Sequence, residues 1–252
     1  MIENISVVII TKNASETIKV TLDSLTGFKE VVVFVDNDST DNTLDIVQTY
    51  ENVSFFQGEF IGFGPTKNIA SNLARNDWIF SIDSDESISN ELYLHLSEID
   101  LESKLIGEIR RDNYFMGKEI KVASWGRDKL IRLFNRTEFR FSNLQVHEKV
   151  EVDSSARKIE LRGSIKHNSI HNLSQTLEKA NFYSELYAEQ SNTYYPLWII
   201  LFKSLYAFIR IYFLQRGFLA GWRGLVLAYS NSVGVFYKYI KVYARQKQRS
   251  KE

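Results

Sequence analysis

Residues 81–86 read Ser-Ile-Asp-Ser-Asp-Glu and set Asp83 and Asp85 one residue apart, directly after the apolar run 78–82. Two carboxylates aimed into one crevice repel, and they need a cation or a set of hydrogen-bond donors to stay ionised there. A hard divalent ion, Mg²⁺ or Mn²⁺, bridging to diphosphate oxygens answers both the ligand type and the spacing. A second reading stays open at this level. In it Asp83 caps a following helix, with Asp85 and Glu86 in the first turn, where negative charge is favoured. Asp36, at the head of Asp36-Asn37-Asp38-Ser39-Thr40-Asp41, ends another apolar run. A carboxylate there accepts from the base or ribose of a nucleotide, although turn and cap chemistry by its neighbours explains the same residue types.

Three further clusters carry possible chemistry. Gly62-Phe63-Gly64-Pro65-Thr66-Lys67-Asn68 presents Lys67 and Asn68 at a helix start, where an anion is favoured. It is not a Walker loop, because no Gly-Lys-Ser/Thr closes it, and Gly62 and Gly64 begin no dinucleotide fingerprint. Glu148 follows His147, a pair that serves a surface salt bridge as readily as catalysis. His167 and His171 lie four residues apart, a metal-binding spacing on a helix, with His167 at a strand end the better single ligand.

The elements that must position these residues are legible in the period of the apolar positions. Residues 5–10 and 31–35 are continuous β-branched runs, the pattern of strands buried on both faces, with further strands at 53–56 and 78–82. Helical spacing at Ile18, Leu22 and Leu25, and helices near 44–47 and 66–75, alternate with them. This alternation predicts a parallel, doubly wound sheet, whose ligands gather beyond the carboxyl ends of the strands. From 100 to 170 the pattern loosens into a mixed extension with strand-like runs at 105–109, 129–134 and 157–166. Residues 173–191 read as helix, and a domain boundary is placed near residue 190, between a body of 1–190 and a tail of 191–252.

Taken together and in order, residues 7–25, 35–43, 62–70, 77–86 and 146–150 resemble the family 2 glycosyltransferases. They are most similar to the bacterial lipopolysaccharide core β-1,4-glucosyltransferases, a likeness that extends to Arg132–Arg136 and to the C-terminal Gly217–Ser232. The resemblance implies the GT-A fold, a Rossmann-like, mixed and mostly parallel sheet that binds a nucleotide-sugar donor. It assigns Thr11, Asn13, Asp36, Lys67, Asp83 and Ser84 to the donor, and Asp85 with His167 to a divalent cation. Glu148 is then the catalytic base. The family carries an Asp of an acidic pair at that position, where this chain reads His147-Glu148. The implied reaction transfers a hexose, glucose from UDP-glucose, to a lipid-linked saccharide such as the lipopolysaccharide inner core. A polyprenyl-phosphate or capsule acceptor is the nearest alternative, and a non-catalytic nucleotide- or metal-binding recruitment module is an alternative of another class.

Charge points to where such an acceptor would be met. The formal net charge is zero, yet residues 1–189 hold 21 basic and 30 acidic residues, whereas residues 190–252 hold ten basic residues and one acid. Fifteen of the 34 aromatic residues lie in that same tail. A basic, aromatic-rich helical extension fits an anionic membrane surface. Its expected contact face is the stripe of Lys238, Lys241, Arg245 and Arg249 beside Phe236, Ile240 and Tyr243, with packing on the body as the competing reading. Lys203, Arg210 and Arg216 interrupt residues 197–216, so no spanning segment is expected. No nucleic-acid module is recognisable. The absence of cysteine excludes disulfides, thiol catalysis and Cys-ligated zinc. Met1–Thr11 lacks the basic start of a signal peptide, so the body is expected in the cytoplasm, and with the basic tail the expected location is peripheral on the inner face of the cytoplasmic membrane.

Overall fold

The β-branched runs form the buried centre of a sheet. In the computed structural model, β1 (Ile2–Thr11), β2 (Phe28–Asp36) and β3 (Val53–Gly58) pair in parallel, and β4 (Trp78–Ser81) pairs in parallel with the other edge of β1. The described residues are 1–122, 125–126, 128–144, 148–170 and 172–249; His147 and His171 lie outside them. Helices α1 (Ile18–Asp23), α2 (Thr43–Val47) and α3 (Phe63–Asn72) make the connections. Val7, Ile9, Val31 and Val33 pack with Ile18 and Leu22 of α1 in one core layer. Val8, Val32 and Phe34 pack with Ala70 of α3 in the other. Burial on both faces is why these strands alternate so little in polarity.

The spatial order β3-β2-β1-β4 reverses direction at β1. Loops that leave neighbouring strands toward opposite faces open a crevice at the carboxyl ends. Thr11, Asp36 and the segment after Ser81 all stand at that edge.

The remaining elements are β5 (Glu86–Ile88), α4 (Asn90–Glu98), β6 (Leu105–Phe115), β7 (Lys118–Glu119), β8 (Asp128–Asn135), β9 (Arg140–Phe141), β10 (Val150–Glu151), β11 (Arg157–Glu160) and β12 (Ile165–Ile170). β8 runs antiparallel to both β4 and β6, and β12 runs antiparallel to β5. The order becomes β3-β2-β1-β4-β8-β6-β12-β5, the mixed, mostly parallel sheet of the GT-A type. The helix-cap reading of 83–86 fails here: Glu86 begins a strand, and α4 is capped instead by Ser89, whose Oγ accepts from Leu92 N at 3.2 Å.

The chain divides into two compact units, Met1–Asp112 with Asp128–His167, and Asn113–Arg127 with Asn168–Glu252. The second contains α5 (Ser174–Gln190), α6 (Leu197–Ile209), a π-helical turn (Arg210–Leu214), a 3-10 turn (Gly217–Ala220) and α7 (Trp222–Arg249). Residue 190 lies inside this unit, because α5 packs along α7. Two sequence expectations change in this unit. Lys241 and Arg245 pair with Glu185 of α5 at 2.6 and 2.8 Å, and Lys238 Nζ sits 4.0 Å above the Tyr187 ring. Most of the basic stripe of α7 is therefore engaged with its neighbouring helix. Leu197–Leu214 is one helical segment of 18 residues, long and apolar enough by composition to cross a membrane. Lys203 and Arg210 interrupt the apolar run without lowering its average enough to exclude that.

Candidate active site

At the ends of β1 and β2 the chain builds a compact polar floor. Asn13 adopts a left-handed backbone conformation (φ 49°), and its Oδ1 accepts from Thr40 N at 2.8 Å. Its own N–H donates to Ser39 Oγ at 3.0 Å. Asp41 Oδ2 accepts from Ser15 N at 2.9 Å, while Oδ1 accepts from the backbone and hydroxyl of Thr43. Thr43 Oγ1 in turn accepts from Ala14 N at 2.7 Å. Burial alone would raise the Asp41 carboxyl, but the donors from Thr43 and Ser15 outweigh it and hold the group far below the usual carboxylate range. The loop after β1 is thus stapled to the loop after β2. Asp36 accepts from Asp38 N at 3.0 Å and pairs with Lys12 at 3.2 Å, and Lys12 also reaches Asp38 at 3.2 Å. Beside them Thr11 is buried, with its hydroxyl lacking a hydrogen-bond partner among the described residues.

A chain of alternating charges starts beyond β4. Lys67 Nζ lies 2.9 Å from Asp83 Oδ1 and 2.7 Å from Glu148 Oε1, with only 4% of the lysine side chain exposed. Arg132 Nη2 donates to Asp83 Oδ2 and to Glu86, each at 2.8 Å. Arg111 continues the chain, 3.2 Å from Glu86 and 2.5 Å from Asp128. Burial opposes ionisation of Asp83, yet Arg132 and Lys67 prevail and hold its carboxyl well below the usual range. Burial likewise disfavours the Arg132 cation, and Asp83 with Glu86 more than restores it. Every charge in the chain meets an opposite one, which is what buried ions require.

Gly64 and Asn68 explain how Glu148 reaches this chain. A Cβ on Gly64 would overlap the Ser142 carbonyl oxygen, so glycine lets α3 approach the strand that precedes Glu148. Asn68 bonds both backbone groups of Phe141, donating to its oxygen and accepting from its nitrogen at 2.9 Å each. The glycine-bearing segment 62–68 therefore packs against Phe141 and Ser142, a few residues before Glu148. Lys67 lies inside α3, buried, rather than presented at a helix start.

The third feature is the approach of His167 Nε2 to Asp85 Oδ2 at 3.3 Å, across the antiparallel pairing of β12 with β5. A carboxylate and an imidazole at this distance suit a shared divalent cation. Among the described residues no third His, Asp or Glu joins them, so the remaining positions would fall to ligand oxygens or water.

The structure thus brings together Lys67, Asp83 and Glu148, and separately Asp85 and His167. Thr11, Asn13 and Asp36 line the neighbouring strand ends, and the Ser84 carbonyl accepts from Thr21 Oγ1 at 3.0 Å. The pattern of glycosyl transferase family 2 matches residues 6–157, which contain every one of these residues except His167. The chain belongs to glycosyl transferase family 2. It is an enzyme, and the reading as a non-catalytic recruitment module is set aside. An uncharacterized glycosyltransferase of Rickettsia prowazekii is 28% identical over 238 residues, covering 89% of this chain and 81% of the relative. The lipopolysaccharide core biosynthesis glycosyltransferase LpsC of Rhizobium meliloti is 27% identical over 234 residues, covering 89% and 86%. Among solved structures, Staphylococcus aureus TarS 1–349 is 17% identical with a TM-score of 0.44, covering 97% of this chain and 92% of that one.

Sequence reasoning gave no role to Arg111, Arg132 or Lys12 in this glycosyltransferase, and it met Glu86 only as a helix-turn residue. The available signal was Arg132 inside the strand-like run Leu130–Phe134. An arginine on the inward face of a strand needs carboxylates nearby, and those of 83–86, at the end of a strand, were candidates.

Proposed function

We propose that this glycosyltransferase moves a hexose, with UDP-glucose the donor implied by resemblance, to a lipid-linked saccharide such as the lipopolysaccharide inner core. The transfer inverts the anomeric carbon and takes place at the anionic inner face of the cytoplasmic membrane. The observation that carries the reading is the Asp83–Lys67–Glu148 bridge, which seats a carboxylate beside the donor-side strand ends on a buried support. The name of the Rhizobium meliloti relative favours a lipopolysaccharide acceptor over a capsule or polyprenyl-phosphate one.

In this reading Thr11 and Asp36 receive the nucleoside, the buried hydroxyl of Thr11 gaining the partner it lacks. Asn13 keeps the loop between them in shape, and Asp83 and Ser84 meet the ribose or sugar. An acceptor hydroxyl is a weak nucleophile near neutral pH, so Glu148 takes its proton as the oxygen attacks the anomeric carbon. The bond to the diphosphate breaks in the same displacement, and its electron pair leaves with the nucleotide. Asp85 and His167 would hold a Mg²⁺ or Mn²⁺ ion, which would supply positive charge for a departing diphosphate. Lys67 keeps Glu148 oriented toward the acceptor side.

Glu148→Gln tests the reading. Transfer should fall about 10²–10⁴-fold, while UDP-glucose binding by calorimetry stays as in the wild type. Near-normal turnover would remove Glu148 from the mechanism. A panel of nucleotide-sugars, assayed with acceptor lipid from a strain lacking this protein, tests the donor and acceptor.

A further inference from the structure

Helix α6 is built inside out for a helix in water. Its exposed side carries Trp198, Phe202 and Leu205, and the π-helical turn extends the same stripe through Phe213 and Leu214. Trp198 is 70% and Phe202 65% exposed. The polar groups point the other way. Ser204 Oγ donates to the Ser232 carbonyl of α7 at 2.9 Å, and Ser232 Oγ returns a bond to the Ser204 carbonyl at 2.8 Å. Lys203 Nζ lies 4.6 Å from the centre of the Tyr195 ring and 5.1 Å from that of Tyr239. Hydroxyls satisfied between helices and apolar side chains facing outward are the arrangement that hydrocarbon surroundings favour.

The segment Leu197–Leu214 is 18 residues long, or roughly 27 Å at the helical rise. Its inner side is occupied by α7. That helix continues to Arg249, with Lys241 and Arg245 in ion pairs with Glu185 and with Trp222, Leu225 and Tyr229 exposed in its first turns, so the apolar surface of α6 itself is confined to the side away from α7. One apolar face suits a helix lying in the plane of an interface; a span needs apolar surface all round. Arg210 and Arg216 are exposed at the carboxyl end of the stripe. No Asp or Glu occurs anywhere from 190 to 251. Such a face attracts phosphates of anionic lipid and repels a second copy bearing the same charge.

We infer that the outer face of α6 and its π-helical continuation inserts in plane into the acyl boundary of an anionic lipid leaflet. This deepens the membrane reading proposed above, on which it rests, and moves the contact from the basic stripe of α7 to α6. Phe and Leu enter the hydrocarbon, Trp198 sits at its edge, and Arg210 and Arg216 reach up to phosphates.

The test uses the full chain, with flotation on vesicles of phosphatidylcholine containing phosphatidylglycerol. The triple variant Trp198→Ser, Phe202→Ser, Leu205→Ser should partition at least about a hundredfold more weakly than wild type. UDP-glucose binding measured in parallel should stay unchanged, which reports that the catalytic unit is folded. Flotation of the triple variant equal to wild type would overturn the assignment to α6 and leave the membrane reading standing. Failure of the wild type itself to float would overturn both. Sedimentation of the lipid-free wild type as a dimer that the triple variant dissolves, without flotation, would give the face to a second copy instead. Resistance of the vesicle-bound protein to alkaline carbonate extraction would overturn the in-plane placement in favour of a span.

Discussion

The Lys67 ammonium lies 2.7 Å from Glu148 Oε1, and the same nitrogen lies 2.9 Å from Asp83 Oδ1. One cation on α3 therefore ties Glu148, the proposed base, to Asp83, the carboxylate proposed to face the donor. Only 15% of the Glu148 side chain is exposed, so neither partner is readily rescued by water. Lys67→Met leaves two carboxylates facing an apolar side chain. It should cost about 3–5 kcal/mol of stability, the usual result of removing one member of a buried ion pair. Urea unfolding reads that loss, and adding Glu148→Gln should recover part of it. Transfer by the single variant should drop by about a hundredfold or more. A Lys67→Met protein with wild-type stability and turnover would mean that the bridge does nothing for base or fold.

Gly64 makes a prediction of a different kind, because no charge is involved. Its missing Cβ is what lets α3 lie against the carbonyl of Ser142, at the root of the loop that carries Glu148. Gly64→Ala forces that carbonyl away, an overpacking that should cost about 1–3 kcal/mol. The displacement should reach Glu148 and lower kcat, with UDP-glucose affinity changing little. A variant with unaltered kcat would show that the loop absorbs the shift before it reaches the base.

How far the site was legible depends on the sequence distance over which its elements pair. The first four strands announce themselves through local runs such as Val31–Val35, which need only be apolar on both faces. Thr11, Asp36 and Asp83 follow directly, because strand ends in a parallel sheet share an edge. β5 was beyond this reading. Its three residues become a strand only by pairing with Ile165–His167, far along the chain, and taken alone they look like the first turn of a helix. Arg132 was missed for a related reason, since its burial depends on the antiparallel placement of β8 against β4. The stripe on α7 misled in the opposite sense. Its period was right, but Glu185 on another helix consumes two of its charges.

The pairing of β5 with β12 also sets up the prediction for the metal. His167 on β12 and Asp85, in the turn just before β5, approach to 3.3 Å. If they share a divalent ion, Asp85→Ala should weaken Mn²⁺-dependent UDP-glucose binding at least about tenfold. His167→Ala should act in the same direction. Neither should alter the binding of UDP-glucose measured in a chelator. Equal Mn²⁺ dependence in wild type and both variants would transfer the ion to other ligands.

Asp41 supplies a pH prediction through the floor beneath Asn13. Its carboxylate accepts from Ser15 N and from both donors of Thr43, and these bonds hold its proton affinity far below the ordinary value. Folding therefore favours the ionised form. The stability that Asp41 contributes is complete above its unfolded pKa of about 3.9, and it is lost progressively as pH falls below that value. Asp41→Asn keeps one acceptor and loses the charge, so at neutral pH it should be less stable than wild type by about 1 kcal/mol. As pH falls from about 5 toward 3, the gap between the two proteins should close. Other carboxylates titrate in the same window, but they do so in both proteins, and the difference isolates Asp41. A gap that stays constant down to about pH 3 would show that the three bonds do not distinguish the ionised carboxylate from the neutral amide.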